Sequence, residues 1–377
     1  MNYVIIGTGV AGVSAVKEII KSRQKDDQIT VLTDETRGFY YRPRLIQCLS
    51  GEINVEDIII NDVEWFDKNN IDLHLSEPAT SIDFTNKKVY SEEGEYEYDK
   101  LLLANGSHPF VPPLPGKEFD NVFTLRIAED AEKIYNYAQN SKEAVVVGGG
   151  LLGLESAYNL SKTGLDVTVL EMSDYLMSRQ LDKKGGEILR EKLNSMGIMC
   201  QVDCVASEIL GNDRAEKVKL KNGQEISTDF VLFSAGIRSN IGLVEDNDID
   251  IEKGVVVNKM MKTSVEDVYA AGDIAEFRDR VYGIWGPSME MGKIAGKNMV
   301  NKNVSFEGYV PSHELKVAEV NVISIGKLEE DEETNSEIRE DNDTYCRVFK
   351  DEDNKLVGAI IVGDYDEQDK IVDEIKS

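Results

Sequence analysis

Apolar and polar positions fall into one pattern that occurs twice along the chain. A short apolar run, Tyr3 to Ile6, enters Gly7-Thr8-Gly9-Val10-Ala11-Gly12, continues as an amphipathic stretch to Ser22, and reaches a second apolar run at Ile29 to Leu32. The same succession returns at Ala144 to Val147, Gly148-Gly-Gly150-Leu-Leu-Gly153, the stretch to Thr163, and Val167 to Leu170. Short apolar runs bounded by glycine read as buried strands and three-four spacing reads as helix, so each copy predicts a βαβ unit. Between the copies lie alternating strands near Lys88 to Tyr98, then Leu101 to Ala104, then Pro109-Phe-Val-Pro-Pro-Leu-Pro115. Neither a helix nor a central strand tolerates that proline run, which predicts a crossover between domains.

The second copy repeats the layout of the first, with later strands at Lys217 to Leu220, Glu225 to Ser227 and Phe230 to Ser234. Val268-Tyr-Ala-Ala-Gly-Asp273 and a helical stretch from Ser288 to Val300 have no place in it and are expected to complete the first domain. From about Phe306 the pattern predicts a small α/β module with strands Val320 to Ile325, Thr344 to Phe349 and Leu356 to Val362, closed by a helix Glu367 to Ile375. The expected architecture is α/β: two Rossmann-like domains, one discontinuous over 1–107 and 236–303, the other 108–235, plus a C-terminal module over 304–377.

A strand, a glycine turn and a helix N-terminus together make an anion site, because glycine lets the backbone approach a pyrophosphate and the first helical amides face it. Two such turns predict two dinucleotides, and the plausible pair is a nicotinamide and a flavin exchanging a hydride.

The 377 residues and 41% hydrophobic content suit two or three soluble globular domains. The formal charge of −28 argues against nucleic acid as a partner. No apolar run approaches membrane-spanning length and the first residues carry no signal-like segment, so no membrane role is expected and the expected location is the cytoplasm. Cys48, Cys200, Cys204 and Cys346 are few and irregularly spaced, which suits a reducing compartment. The acidic stretch Glu329 to Asp343, opposed only by Arg339, reads as a solvated loop or hairpin tip. His74, His108 and His313 do not combine with cysteines at metal-ligand spacing, so no iron–sulfur or zinc site is expected.

The two glycine turns, Ala104-Asn-Gly106, Ser234-Ala-Gly236-Ile-Arg238-Ser-Asn240 and the segment Thr263 to Asp273 together resemble the pyridine-nucleotide flavoprotein disulfide-reductase superfamily over about residues 1 to 300. The resemblance implies FAD on the first unit and NAD(P)H on the second, with Asp273 bonding the ribityl chain of FAD. Asn105 departs from the family's Ala-Thr-Gly. An acidic residue ending the second strand accepts from the adenosine ribose hydroxyls and repels a 2′-phosphate, so Glu171 favours NADH. In the first unit the aligned residue is Thr33, and Thr33, Asp34 and Glu35 all remain candidates for the FAD ribose.

Tyr41-Arg42-Pro43-Arg44-Leu45 resembles a loop of the rubredoxin reductase, nitrite reductase and apoptosis-inducing-factor branch, which implies an FAD contact from Arg42. The same resemblance implies backbone contacts from Ala79 on the adenine side and Trp285 near the isoalloxazine; core packing is the competing reading of both. It further implies that Glu155 lies beside the flavin, paired with Lys316 of His313-Glu-Leu-Lys316-Val. Local position alone offers a plainer reading of Glu155, a carboxylate in the first helical turn favoured by the helix dipole.

The disulfide reductases carry a CxxxxC pair after the second strand, where this chain has only Cys48, so an internal dithiol shuttle is not expected. Cys200, Cys204 and Cys346 read as small buried hydrophobes. The C-terminal segment, including Ser324-Ile-Gly326 and Lys355 to Asp364, resembles the small module of NAD(P)H:rubredoxin oxidoreductases and nitrite reductase flavin domains. The resemblance implies a reductase passing a hydride from NADH to FAD and single electrons to rubredoxin or a similar carrier. Alternatives are an NADH oxidase reducing oxygen, a reductase component for ferredoxin or nitrite reductase, and, least favoured, a non-catalytic NADH-sensing flavoprotein.

Overall fold

The computed structural model describes residues 1–309, 312–317, 320–340 and 344–376, with side chains for all of these except 312–317. Two compact units emerge, one formed by residues 1–44, 55–108 and 237–309 and the other by 45–54, 109–236 and 310–377.

The first unit is built on a five-stranded sheet in the order Val268–Ala270, Lys100–Leu103, Asn2–Ile6, Gln28–Leu32, Asp72–His74. Every pairing is parallel. Such strands are buried on both faces, which is why they read as unbroken apolar runs rather than alternation. Asn2–Ile6 has neighbours reached by connections in opposite directions, and the carboxyl end of such a switch-point strand is where α/β sheets bind ligands. The helix Trp285–Met299 packs against Val10–Ile20. It starts three residues before the Ser288 expected from the sequence, with Pro287 tolerated in its first turn.

The second unit repeats this plan in the order Val122–Thr124, Phe230–Phe233, Glu143–Val147, Asp166–Leu170, Met199–Gln201, again wholly parallel. Each unit also inserts a three-stranded antiparallel meander just before the strand that returns beside its central one, Ser81–Asp83 to Glu95–Glu97 before Lys100–Leu103 in one and Ala206–Leu210 to Glu225–Ser227 before Phe230–Phe233 in the other. The copies differ in the outermost strand. In the first unit it returns from distant sequence at Val268–Ala270; in the second it precedes the glycine turn, at Val122–Thr124.

The C-terminal module is a five-stranded antiparallel sheet, order Ser312–Val317, Val320–Gly326, Leu356–Val362, Tyr345–Asp351, Thr334–Glu340, with the helix Gln368–Lys376 against it. The acidic stretch is not simply a loop. Thr334–Glu340 is an edge strand bonded to Tyr345–Asp351, and residues 341–343 lie outside those described. Charged side chains on an exposed edge discourage pairing with a second chain, which gives the acidity a structural use. Asp182 caps the helix Lys183–Ser195 through Gly185 N and also accepts from Tyr345 Oη at 2.5 Å and Arg347 Nη1 at 2.9 Å, tying the module to its unit.

The four cysteines are free thiols. Cys200 and Cys346 are buried, and burial pushes their thiols up to about 12 and about 11, which makes both inert at neutral pH. Cys48 is buried in the short helix Leu45–Cys48. Among the described residues no helix is long and apolar enough to cross a membrane.

Candidate functional site

Each unit carries a cradle at the end of its central strand, and the two agree bond for bond. Gly7 N donates to Leu32 O at 2.7 Å and Ala104 N to Ile6 O at 2.9 Å; Gly148 N donates to Leu170 O and Ser234 N to Val147 O, both at 2.8 Å. Gly7 has φ +108° and Gly148 φ +124°, and a Cβ on either would overlap the carbonyl of Ala104 or Ser234. A Cβ on Gly12 or Gly153 would strike the carbonyl of Gly7 or Gly148. Gly9 and Gly150 are different, because a Cβ there meets nothing within 4 Å. A tight turn, an open approach and close helix–strand packing are the requirements of a pyrophosphate cradle. Both helices begin at a glycine N-cap without a side-chain hydrogen bond and with no acid in the first turn. Their leading amides therefore face outward for an anion, and the residues fit a dinucleotide in each unit.

The positions just past the second strands follow from register. Ile6 pairs with Leu32 and Val147 with Leu170, so Thr33 and Glu171 stand at equivalent places just past their strands. Glu171 reaches back into its turn, its Oε2 accepting from Gly149 N at 2.6 Å and its Oε1 from Ser173 N at 2.7 Å. Thr33 is buried and its hydroxyl lies 3.1 Å from that of Thr8, also buried. Glu35 is 6% exposed and accepts from Tyr40 Oη at 2.8 Å and Arg42 Nη2 at 2.5 Å. Asp34 is the exposed member of the three. Burial disfavours the Arg42 cation, but Tyr40, Glu35 and Asp273 outweigh it and raise its pKa. Arg42 is thereby fixed as a permanent positive charge within the field of Asp273.

Asp273 accepts from Ser107 Oγ at 2.9 Å and Ser288 Oγ at 3.2 Å, while its carbonyl accepts from Ser239 Oγ at 2.7 Å. These three buried serines were not singled out in the sequence, since nothing local links 107, 239 and 288 to 273. We expect Asp273→Ala to weaken FAD about 10- to 100-fold, from the loss of a charged acceptor worth roughly 1.5–3 kcal/mol. Fluorescence titration of the apoprotein with FAD measures this, and an unchanged Kd would remove Asp273 from the site.

Gly106 and Gly236 hold matching positions with φ +67° and +100°. The departure at Asn105 is compensated: Asn105 Nδ2 donates to Asn240 O at 2.9 Å and Asn240 Nδ2 to Asn105 O at 2.6 Å. Val10 and Ala11 open the first helix, Ala11 buried. Ala79 is half-buried against the core of its unit. The Trp285 ring stacks on Phe39 at 5.7 Å and meets Tyr41 edge-on at 4.8 Å. A loop missed in the sequence braces the Thr33 to Glu35 strand end: Thr33 N donates to His74 O, Ser76 N to Glu35 O and Glu77 N to Thr33 O.

Glu155 is the fifth residue of Leu151–Ser161, so it lies beyond the first turn and the helix-dipole reading does not hold. It is half-buried, and burial pushes its carboxyl up to about 7. Lys316 stands in Ser312–Val317 opposite Asn321, with its side chain outside those described. A folded pKa above the ordinary 4.5 means that the native state binds the extra proton. In the apoprotein this carboxyl costs nothing below pH 4.5, and stability falls as pH rises through 7. We expect Glu155→Gln to remove that slope, a gain of at most about 3 kcal/mol at pH 8. Urea titrations at pH 5 and pH 8 measure it; equal slopes in both proteins would mean that a nearby cation already balances Glu155.

Residues 1–293 match the pyridine nucleotide-disulphide oxidoreductase family, and residues 311–377 match the rubredoxin NAD+ reductase C-terminal domain. A nitrite reductase (NAD(P)H) of Bacillus subtilis is 35% identical over 378 residues, covering 100% of this chain and 47% of that protein. The chain thus spans about half the length of that relative. The NADH-rubredoxin oxidoreductase of Clostridium acetobutylicum is 33% identical over 366 residues, covering 96% of this chain and 91% of that one. The crystal structure of NADH:rubredoxin oxidoreductase from the same organism superposes with a TM-score of 0.84 at 31% identity, covering 100% and 94% of the two chains. A NAD-dependent persulfide reductase from A. fulgidus gives a TM-score of 0.93 at 27% identity, covering 100% of this chain and 77% of that one.

Proposed function

The chain belongs to the pyridine nucleotide-disulphide oxidoreductase family, with FAD and NADH as its cofactors, and on that premise we propose that it is a reductase delivering electrons from NADH to rubredoxin or a similar small carrier. The observation that carries the choice of acceptor is the C-terminal module, whose match to the rubredoxin NAD+ reductase C-terminal domain runs over residues 311–377. The Clostridium relative is covered almost end to end by the same arrangement.

When bound, NADH supplies a hydride and FAD converts the pair of electrons into single-electron steps. The chain's own residues bind and orient. Gly9 and Gly150 admit the two pyrophosphates, Asp34 and Glu171 accept from the two adenosine riboses, and Asp273 holds the ribityl chain with Ser107 and Ser288 fixing its carboxylate. Arg42 lends positive charge to the FAD site, with Glu35 and Tyr40 setting its direction. With FAD bound, Glu155 would act with Lys316, whose side chain lies outside those described, to hold an ammonium by the ring, where positive charge would favour the electron-rich reduced form. In this reading Ala79 and Trp285 contribute backbone contacts, and Gly106 and Gly236 let the chain turn beneath the two dinucleotides.

The match to half of a nitrite reductase supports a second reading, that the same unit feeds a separate or attached nitrite-reducing centre. Anaerobic NADH oxidation with rubredoxin, ferredoxin or no carrier, beside an air-saturated sample, separates these. We expect rubredoxin reduction to exceed the oxygen rate by at least about tenfold. Rapid oxygen consumption with no carrier preference would overturn the proposal in favour of an oxidase, preference for ferredoxin would overturn rubredoxin as the carrier, and slow turnover with every carrier and with oxygen would favour the second reading.

A further inference from the structure

We infer that Glu252, Glu276 and Asp279 form a binding site for a hard divalent cation, separate from both dinucleotide cradles. The three carboxylates come from two segments of the first unit and each offers an oxygen within 4.8 Å of the others. Glu252 and Asp279 are exposed, whereas Glu276 is 2% exposed. Its Oε2 is satisfied by Lys253 N at 2.6 Å and Gly254 N at 3.0 Å, but its Oε1 is buried with no hydrogen-bond partner. A buried carboxylate oxygen without a partner carries a large desolvation cost, and a bound cation is a remedy suited to a group flanked by two more carboxylates.

Protein cations do not fill that role. Among the described residues none of the three carboxylates makes an ion pair with Lys or Arg. Lys253 Nζ donates instead to the Asp279 carbonyl at 3.0 Å, Arg278 to the Glu307 carbonyl at 3.2 Å, and the Arg280 guanidinium lies over the Tyr282 ring. Three anionic oxygens and no nitrogen or sulfur donor select a hard, oxygen-seeking ion of the Ca2+ or Mg2+ kind over zinc or copper.

The surrounding backbone holds the ligands at fixed places. Ala275–Glu276 pairs in parallel with Val255–Val256, and Val257 N donates to Glu276 O at 2.9 Å. Phe277 and Arg280 exchange backbone bonds of 3.0 and 3.2 Å around Arg278 and Asp279, both at positive φ, which directs Asp279 back toward Glu276. A cation here would clamp the 252–254 turn to the segment that starts at Asp273. It would therefore stabilise the fold by mass action without touching either cofactor.

The test is isothermal titration calorimetry of the full FAD-loaded chain after chelator treatment, with Ca2+ and Mg2+ added in separate runs. Physiological salt screens diffuse attraction to the −28 charge. The expected result is one saturable class near one ion per chain for at least one of the two metals. Glu252→Gln and Asp279→Asn, both at exposed positions, should each weaken it by roughly tenfold. Glu276→Gln keeps an amide oxygen for Lys253 N and Gly254 N and should abolish the class. No saturable binding of either metal, or binding unchanged in the Glu252→Gln/Asp279→Asn double variant, would overturn the assignment.

Discussion

Gly9→Val is expected to yield a folded, colourless protein, and Gly150→Val a folded, yellow protein that NADH no longer reduces. Each glycine has extended backbone that any residue can adopt, at φ −67° and −84°, and a Cβ there points into open space. The fold should therefore survive, at a cost near 1 kcal/mol for a poorer N-cap. A branched side chain occupies the space through which the pyrophosphate approaches the leading amides. Overpacking of about 1–3 kcal/mol together with displaced amide bonds predicts a loss of roughly 100-fold or more in affinity. Gly12→Val and Gly153→Val provide the contrast. Their Cβ would meet the carbonyls of Gly7 and Gly148 within the fold, so they should impair folding itself. Circular dichroism, bound flavin per chain and anaerobic NADH reduction measure all four. A Gly9→Val protein that purifies with full FAD would contradict the cradle.

Glu171→Arg is expected to reverse the preference between NADH and NADPH while leaving FAD in place. The carboxylate stands at the strand end, held by Gly149 N and Ser173 N, with its oxygens lying against the turn that receives the pyrophosphate. A ribose with free hydroxyls gains a charged acceptor there, worth about 1.5–3 kcal/mol, and a 2′-phosphate meets repulsion. Removing the acceptor should raise the KM for NADH roughly 10- to 100-fold, and the guanidinium should lower the KM for NADPH. Glu171→Gln, which keeps both acceptor geometry and size, should fall between them. Steady-state kinetics with both nucleotides at fixed rubredoxin measure this; an unchanged KM for NADH in Glu171→Arg would remove Glu171 from the ribose site.

These two predictions rest on features of different legibility. The glycine turns could be read directly, because turn, approach and packing all depend on residues within a span of six, and local spacing is what a sequence displays. Asp34 and Glu35 could not be separated that way. Their difference arises because Tyr40 and Arg42 fold back to engage Glu35, leaving Asp34 as the exposed carboxylate. Two residues past Gly153, Glu155 reads as a first-turn residue, but the helix already begins at Leu151, within the glycine turn itself. Glu329 to Asp343 reads as a solvated loop or hairpin tip on its charge, yet the ladder offered by Tyr345–Asp351 makes Thr334–Glu340 within it a strand. Strand formation answers to the neighbouring strand more than to intrinsic preference.

The sequence by itself determined the architecture, two βαβ units with a C-terminal module, and the class of chemistry, because periodicity and glycine spacing are encoded over a few consecutive residues. Only the tertiary structure decided which distant groups meet. Ser107, Ser239 and Ser288 converge on Asp273, Asn105 exchanges bonds with Asn240, and Glu252 joins Glu276 and Asp279. Such meetings depend on where parallel strands end and how the loops beyond them return. That placement is set by packing of the whole unit, and no local pattern records it.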